Sequence, residues 1–140
     1  MINEYNKSDL FRTFQKLDIK KGDSIFLSTS LGMLGKPKTT NKNILLTVSN
    51  WILESLKKLI GEKGNIFVPT YSYSFTKKKK IFSVKNTKST IGYFPNFFLK
   101  KKGIIRSKDP MVSIAGYGPQ AKYVLEKISN TSFGKNCAFE

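Results

Sequence analysis

Asn41-Lys-Asn-Ile-Leu-Leu-Thr-Val-Ser-Asn-Trp-Ile-Leu-Glu-Ser-Leu-Lys-Lys-Leu-Ile60-Gly-Glu-Lys-Gly-Asn-Ile-Phe-Val-Pro69 is the stretch that sets the architecture of this chain. Leu45, Val48, Ile52, Leu56 and Leu59 recur every three or four residues, an apolar stripe at helical period. The spacing predicts a helix over Lys42–Ile60 with Asn41 as its cap. Gly61 and Gly64 end it, and the short apolar run Asn65–Pro69 reads as a strand. Upstream, Ser24–Ser28 reads as another buried strand, and Leu31–Thr40 is a loop broken by Gly32, Gly35 and Pro37. Strand, loop, helix, strand is a βαβ unit, which implies a parallel pair with a right-handed crossover.

Outward from this unit, Leu10, Phe11, Phe14 and Leu17 place a helix over Ser8–Leu17, with Ser8 as N-cap and a break at Asp18–Gly22. Thr70–Ser89 is irregular and basic. Gly92–Lys102 reads as an aromatic helix with Pro95 in its first turn. Val112–Tyr117 is a third strand, turned by Gly118 and Pro119 into a helix over Gln120–Lys127. Ser129–Glu140 is a polar tail without a period. The expected fold is α/β, a three-layer sandwich with a mainly parallel central sheet flanked by helices. It forms one domain over residues 1–140, with the sheet incomplete on its C-terminal side.

Composition narrows the chemistry. Histidine is absent and Cys137 is the lone cysteine, so an intrinsic zinc site and histidine base catalysis are excluded. One cysteine, a polar N-terminus and no apolar run of membrane-spanning length point to the reducing cytoplasm and away from a membrane. The net charge of +16 invites an anionic partner. Only Arg12 and Arg106 are arginines, however, and no RNA-recognition signature is present. The charge therefore reads as lysine bias in an AT-rich coding sequence rather than a nucleic-acid surface. The runs Lys77–Lys80 and Lys100–Lys102 read as solvated loops or helix ends.

Three segments carry chemical handles. Leu27–Gly35 leaves the first strand with Ser28, Thr29 and Ser30 in succession, followed by Gly32 and Gly35. Backbone N–H groups in such a loop can face a pyrophosphate at the carboxyl end of a sheet, although neither a Walker nor a Rossmann fingerprint is present. Val68–Phe75 leaves the second strand on the same sheet edge with Thr70, Tyr71 and Ser72. Arg106–Gly118 holds an arginine, Asp109 fixed beside Pro110, and Ser113. Each also has an ordinary reading: a capped loop, aromatic anchors, and an Asp-Pro turn with a surface cation.

Taken in order, Gly22–Leu31 through Gly35, Gly64–Ser72, Thr87 through Gly92, Arg106-Ser107 through Pro110 and Ser113, and Phe133-Gly134 resemble the aminoglycoside 3-N-acetyltransferase family over nearly the whole chain. The resemblance implies an α/β fold that uses acetyl-coenzyme A, without a metal, to acetylate an amine on a sugar. It carries the pantetheine and pyrophosphate contacts onto Ser28, Thr29, Ser30, Leu31 and Gly35. Arg106 and Ser107 join the coenzyme side, with Arg106 and nearby lysines on its phosphates. Thr70, Tyr71, Ser72 and Ser113 fall to the acceptor pocket and Asp109 to the catalytic base, whose carboxyl would need its pKa raised by burial.

Two departures shape these expectations. Antibiotic-modifying members carry histidines on both sides of the proline, where this chain has Asp109 and Val112. Asp109-Pro110 resembles instead the branch found with surface-polysaccharide and sugar-modification genes, which implies an amino sugar of a glycan precursor as the substrate. Family members also continue well past Phe133-Gly134. The expectation is thus an N-terminal part, truncated or split, that pairs with a second chain or a second copy. Alternatives are an inactive half-protein and a basic RNA-binding module.

Overall fold

The computed structural model describes residues 4–73, 76 and 81–139; the Lys77–Lys80 run lies outside them. The element order is β1 (Glu4–Tyr5), α1 (Lys7–Gln15), β2 (Ser24–Phe26), a single 3-10 turn (Leu31–Met33), β3 (Lys36–Pro37), α2 (Ile44–Ile60), β4 (Asn65–Pro69), α3 (Tyr93–Leu99), β5 (Ile105–Arg106), β6 (Ile114–Tyr117) and α4 (Ala121–Lys127). Four strands form the central sheet in the order β2-β4-β6-β5, and β1 pairs with β3 in a separate ribbon.

The βαβ unit is present as the sequence implies, but its first strand stops at Phe26 and is not buried: Ile25 is half-buried and Phe26 is 56% exposed. β2 and β4 pair in parallel with Ser24 opposite Asn65 and Phe26 opposite Phe67. Three of the four sheet strands run the same way. β6 runs against them between β4 and β5, so two of the three pairings are antiparallel. The mainly parallel expectation thus holds for strand direction and gives way for strand pairing. The cause is the two-residue β5, which is followed by a short return into β6. A short connection joins only antiparallel neighbours, whereas a parallel one needs a crossover.

The α2 stripe buries Val48, Ile52, Leu53, Leu56 and Ile60 against Ile66 and Val68 of β4 and against Phe94, Phe97 and Phe98 of α3. α1 adds Leu10 to the same side. The opposite face of the sheet carries α4. A Cβ built on Gly116 would meet Ala121 Cβ, Leu125 Cδ1 and Phe67 Cδ1, at 3.0, 3.0 and 3.1 Å. That close approach is why a glycine sits there. Helices, sheet and helix make three layers, each large buried side chain contributing roughly 1.5–3 kcal/mol.

Caps move some boundaries. Asn6, not Ser8, caps α1: its Oδ1 accepts from Ser8 N and Asp9 N, and Asp9 returns a bond from Asn6 N. Asn43, not Asn41, caps α2, accepting from Leu46 N, while Asn41 Oδ1 holds Asn43 N. Asn65 is fully buried and joins three elements, donating to Ser24 Oγ and accepting from Gln120 N at the start of α4.

Candidate functional site

Because β2, β4 and β5 point the same way, their carboxyl ends lie on one edge of the sheet, and the antiparallel β6 begins there. Thr70 N donates to Ser113 O at 2.8 Å, and Ser107 N donates to Ile114 O at 2.8 Å. The second and third chemical segments therefore meet at this edge. The first segment leaves it as well, since Leu27 N continues the β2–β4 pairing to Phe67 O.

The hydroxyls expected to face an acceptor are largely turned inward. Thr70 Oγ1 donates to Ser113 O at 3.0 Å, and Ser113 Oγ donates to Thr70 O at 3.1 Å. Ser72 Oγ donates to Pro110 O at 2.7 Å. All three side chains are buried. They bond β4's exit to β6's start and leave Tyr71 as the half-buried member of the group. Tyr71 packs edge-on against Tyr73 and Phe139, with centroids 6.2 and 6.1 Å away. Burial first, then Tyr73 and Asp109, raise its phenol above the ordinary value of 10.0.

Arg106 corrects an expectation. The residue is 6% exposed, and its guanidinium carbon stands 4.9 Å from the centre of the Phe82 ring. Nε donates to Ser113 Oγ at 3.0 Å, and Nη2 donates to Thr70 O at 2.7 Å. Nη1 donates to Thr87 O and to Val84 O. Burial lowers its pKa to about 10. With these donors on fixed carbonyls, Arg106 is a clamp joining β4, β6 and the 82–88 loop, not an arm reaching for phosphate. Ser107 is likewise buried, its Oγ accepting from Ile114 N at 2.9 Å.

Asp109 is 0% exposed. Its Oδ1 accepts from Met111 N at 2.7 Å, Val112 N at 3.0 Å and Ser132 Oγ at 3.1 Å. Two of these bonds are the turn geometry that Asp-Pro sequences favour. Oδ2 has no hydrogen-bond partner. A buried carboxylate oxygen left unpaired is costly, and such groups concentrate where a ligand completes the bonding.

The Ser28–Gly35 loop stands apart. Ser28 and Ser30 are exposed, Thr29 and Leu31 half-buried, and Met33 N closes the 3-10 turn onto Ser30 O at 3.0 Å. Thr29 Oγ1 is buried without a partner. Gly35 takes φ +84°, open to glycine at little cost. Among the described residues no hydrogen bond joins this loop to Asp109. Sequence reasoning missed Ser132 and Phe139; the adjacent Phe133-Gly134 motif was the signal that pointed to them. No group of three or more potential metal ligands occurs among the described residues. Nor is any of their helices long and apolar enough to cross a membrane.

A three-layer α/β domain with a buried, half-bonded carboxylate among hydroxyl-rich loops at the carboxyl edge of its strands is a ligand-site architecture. The chain belongs to the aminoglycoside 3-N-acetyltransferase family, whose model matches residues 29–140. Solved structures agree on the fold. The YokD protein of Bacillus subtilis superposes with TM-score 0.78 at 16% identity, covering 95% of this chain and 58% of YokD. Aminoglycoside acetyltransferase AAC(3)-Xa gives 0.73 at 17%, covering 91% and 48%. AAC-IIIb, solved in a binary complex with CoASH, gives 0.71 at 15%, covering 91% and 51%. The chain spans about half the length of these structures. No curated protein sequence matches it.

Proposed function

We propose that this chain forms the donor side of an acetyl-coenzyme A-dependent N-acetyltransferase acting on an amino group of an aminoglycoside or a glycan-precursor amino sugar. The observation that carries the proposal is Asp109: a buried carboxylate with an unpaired oxygen, at the sheet edge where the family motifs converge. A cationic amine is the partner such an oxygen lacks. The family match and the CoASH held by AAC-IIIb support a coenzyme A thioester as donor.

In this reading Asp109 Oδ2 draws the amine in and takes its proton. That first proton passes to solvent; the amine nitrogen bonds to the thioester carbonyl carbon, the C–S bond breaks, and the nitrogen's second proton goes by way of Asp109 to the departing thiolate, which leaves as the coenzyme thiol. Backbone N–H groups around Ser30-Leu31 face the developing oxyanion, and the exposed Ser28–Gly35 loop receives the pantetheine arm. Arg106 holds the edge rigid, which keeps the reacting groups in register. The remaining half of such a fold comes from further polypeptide, a second chain or a second copy of this one. The setting is the reducing cytoplasm, where Cys137 stays a free thiol.

Thiol release from acetyl-coenzyme A tests this, with a methyl glucosaminide and with sisomicin, the compound bound in an AAC-VIa structure. Release that needs both donor and acceptor is expected, and Asp109→Asn is expected to cut it about 10²–10⁴-fold. No release with either acceptor, together with no calorimetric heat from acetyl-coenzyme A at millimolar concentration, overturns the proposal.

A further inference from the structure

Four aromatic rings form a continuous row beside the Asp109 turn. Tyr73 packs on Tyr71, Tyr71 on Phe139 at 6.1 Å, and Phe139 stacks on Phe133 at 6.3 Å with their planes 17° apart. The last two are 60% and 80% exposed, in a tail with no helix or strand of its own. Two large rings stacked in solvent bury little area, so their arrangement earns little from the hydrophobic effect alone. The row is also tied to the Asp109-Pro110 turn at both ends, once at the carboxylate and once at the main chain. Ser132, next to Phe133, donates to Asp109 Oδ1 at 3.1 Å, and Ser72, next to Tyr71, donates to Pro110 O at 2.7 Å.

We propose that the Tyr71–Phe139–Phe133 row is the acceptor subsite: it takes the apolar face of an amino-sugar ring and places the ring's ammonium at Asp109 Oδ2. Three features converge on this ligand. A pyranose has one face of C–H groups, which packs on exposed aromatic rings. An ammonium is attracted by the negative faces of the same rings. The unpaired, fully buried Oδ2 supplies the one charged acceptor within the group. A neutral sugar satisfies the first feature only. The inference rests on the acetyltransferase reading of the site and adds which residues select the acceptor. They lie on this half of the fold, at the exit of β4 and in the segment following Ser132.

The test is binding of a methyl glucosaminide to the full chain without acetyl-coenzyme A, by saturation-transfer NMR and titration, with methyl glucoside as the neutral comparator. Saturation is expected to reach the ring C–H protons. The F133L/F139L chain is expected to bind the amine about tenfold more weakly, and Asp109→Asn to erase the preference over the neutral sugar. Both phenylalanines are exposed, so the double variant keeps the circular dichroism of the parent. Acetyl-coenzyme A affinity, measured in parallel by calorimetry, is expected to stay unchanged in the double variant. Equal amino-sugar binding by parent and double variant, or no binding by the parent while acetyl-coenzyme A still binds, overturns the acceptor subsite and leaves the donor reading standing. A double variant that loses acetyl-coenzyme A instead reassigns the rings to the coenzyme and overturns it too. Loss of both ligands by the parent chain contradicts the acetyltransferase reading itself.

Discussion

Arg106 and Asp109 lie three residues apart, carry opposite charges, and are both buried, yet among the described residues they do not pair with each other. Arg106 makes four hydrogen bonds, three to main-chain carbonyls and one to Ser113. Asp109 satisfies one oxygen three times over and the other not at all. A buried charge with its bonding completed inside the protein is part of the scaffold. One left half-completed is where an outside group belongs. The thirteen residues Arg106–Gly118 thus hold a structural end and a reactive end.

The largest effect expected from this contrast is on stability at Arg106. Arg106→Ala leaves the half-buried Thr87 carbonyl without its donor and Thr70 O with only the Ser113 hydroxyl, and each unmade buried bond costs about 1–3 kcal/mol. Urea denaturation is expected to show a loss of roughly 2–4 kcal/mol or an unfolded chain. Arg106→Lys recovers little of it, because an ammonium cannot span carbonyls in a planar fork. A midpoint close to that of the parent would place Arg106 among surface cations and dissolve the contrast.

Asp109→Asn is expected to do the reverse. The amide oxygen still accepts from Met111 N and Val112 N, so the denaturation midpoint moves by less than about 1 kcal/mol. Acetyl transfer, by contrast, falls by the factor given above. A large stability loss with retained turnover would reverse the two roles. A smaller effect belongs to Thr70→Val, which removes the bond to Ser113 O and is expected to cost about 1 kcal/mol in the same urea titration.

Tyr71 offers a titration between the two ends. Its phenol sits above the ordinary 10.0, through burial first and then through Tyr73 and Asp109. A raised acid binds its proton more tightly folded than unfolded. Its stabilising share is therefore full below pH 10 and lost as pH climbs through the raised value. Phenolate absorbance, differenced against Tyr71→Phe, is expected to appear above pH 10 and to shift downward in Asp109→Asn. No downward shift would show that the carboxylate and the phenol do not sense each other. The smallest expected effect is Arg12→Ala: its contact with Asp9 is solvent-exposed at 3.7 Å, and the midpoint moves by about 0.5 kcal/mol or less.

The parts of this molecule that could be read in advance are those with a local physical signature. β4 matches Asn65–Pro69 residue for residue, because an apolar run bounded by Gly64 and the polar Thr70 has no alternative use. The α2 stripe was plain at Val48, Ile52 and Leu56, but Leu45 is exposed and Leu59 half-buried, with Leu53 and Ile60 taking the core instead, and the helix start slipped. Asn41 and Asn43 are both good caps, and the choice between them depends on Asn41 bonding Asn43 rather than the helix. β1 and β3 were invisible: two residues each, one of them proline, carry no period. The reversed β6 was hidden because strand direction depends on how β5 returns, which no window of sequence contains. At the site, Asp109 was legible as a fixed carboxylate beside a proline. That Arg106 faces inward was not, because its acceptors are main-chain carbonyls at Thr70, Val84 and Thr87, and carbonyls have no sequence signature.

The measurement that bears most directly on the whole account is backbone amide NMR of the chain titrated with acetyl-coenzyme A. The account predicts saturable shifts in Ser28–Leu31 and Gly35 and in Asp109–Ser113, with the amides of the α1–α2 cleft around Lys7, Phe11 and Lys58 unmoved. Shifts confined to that basic cleft, or none at all, would contradict it.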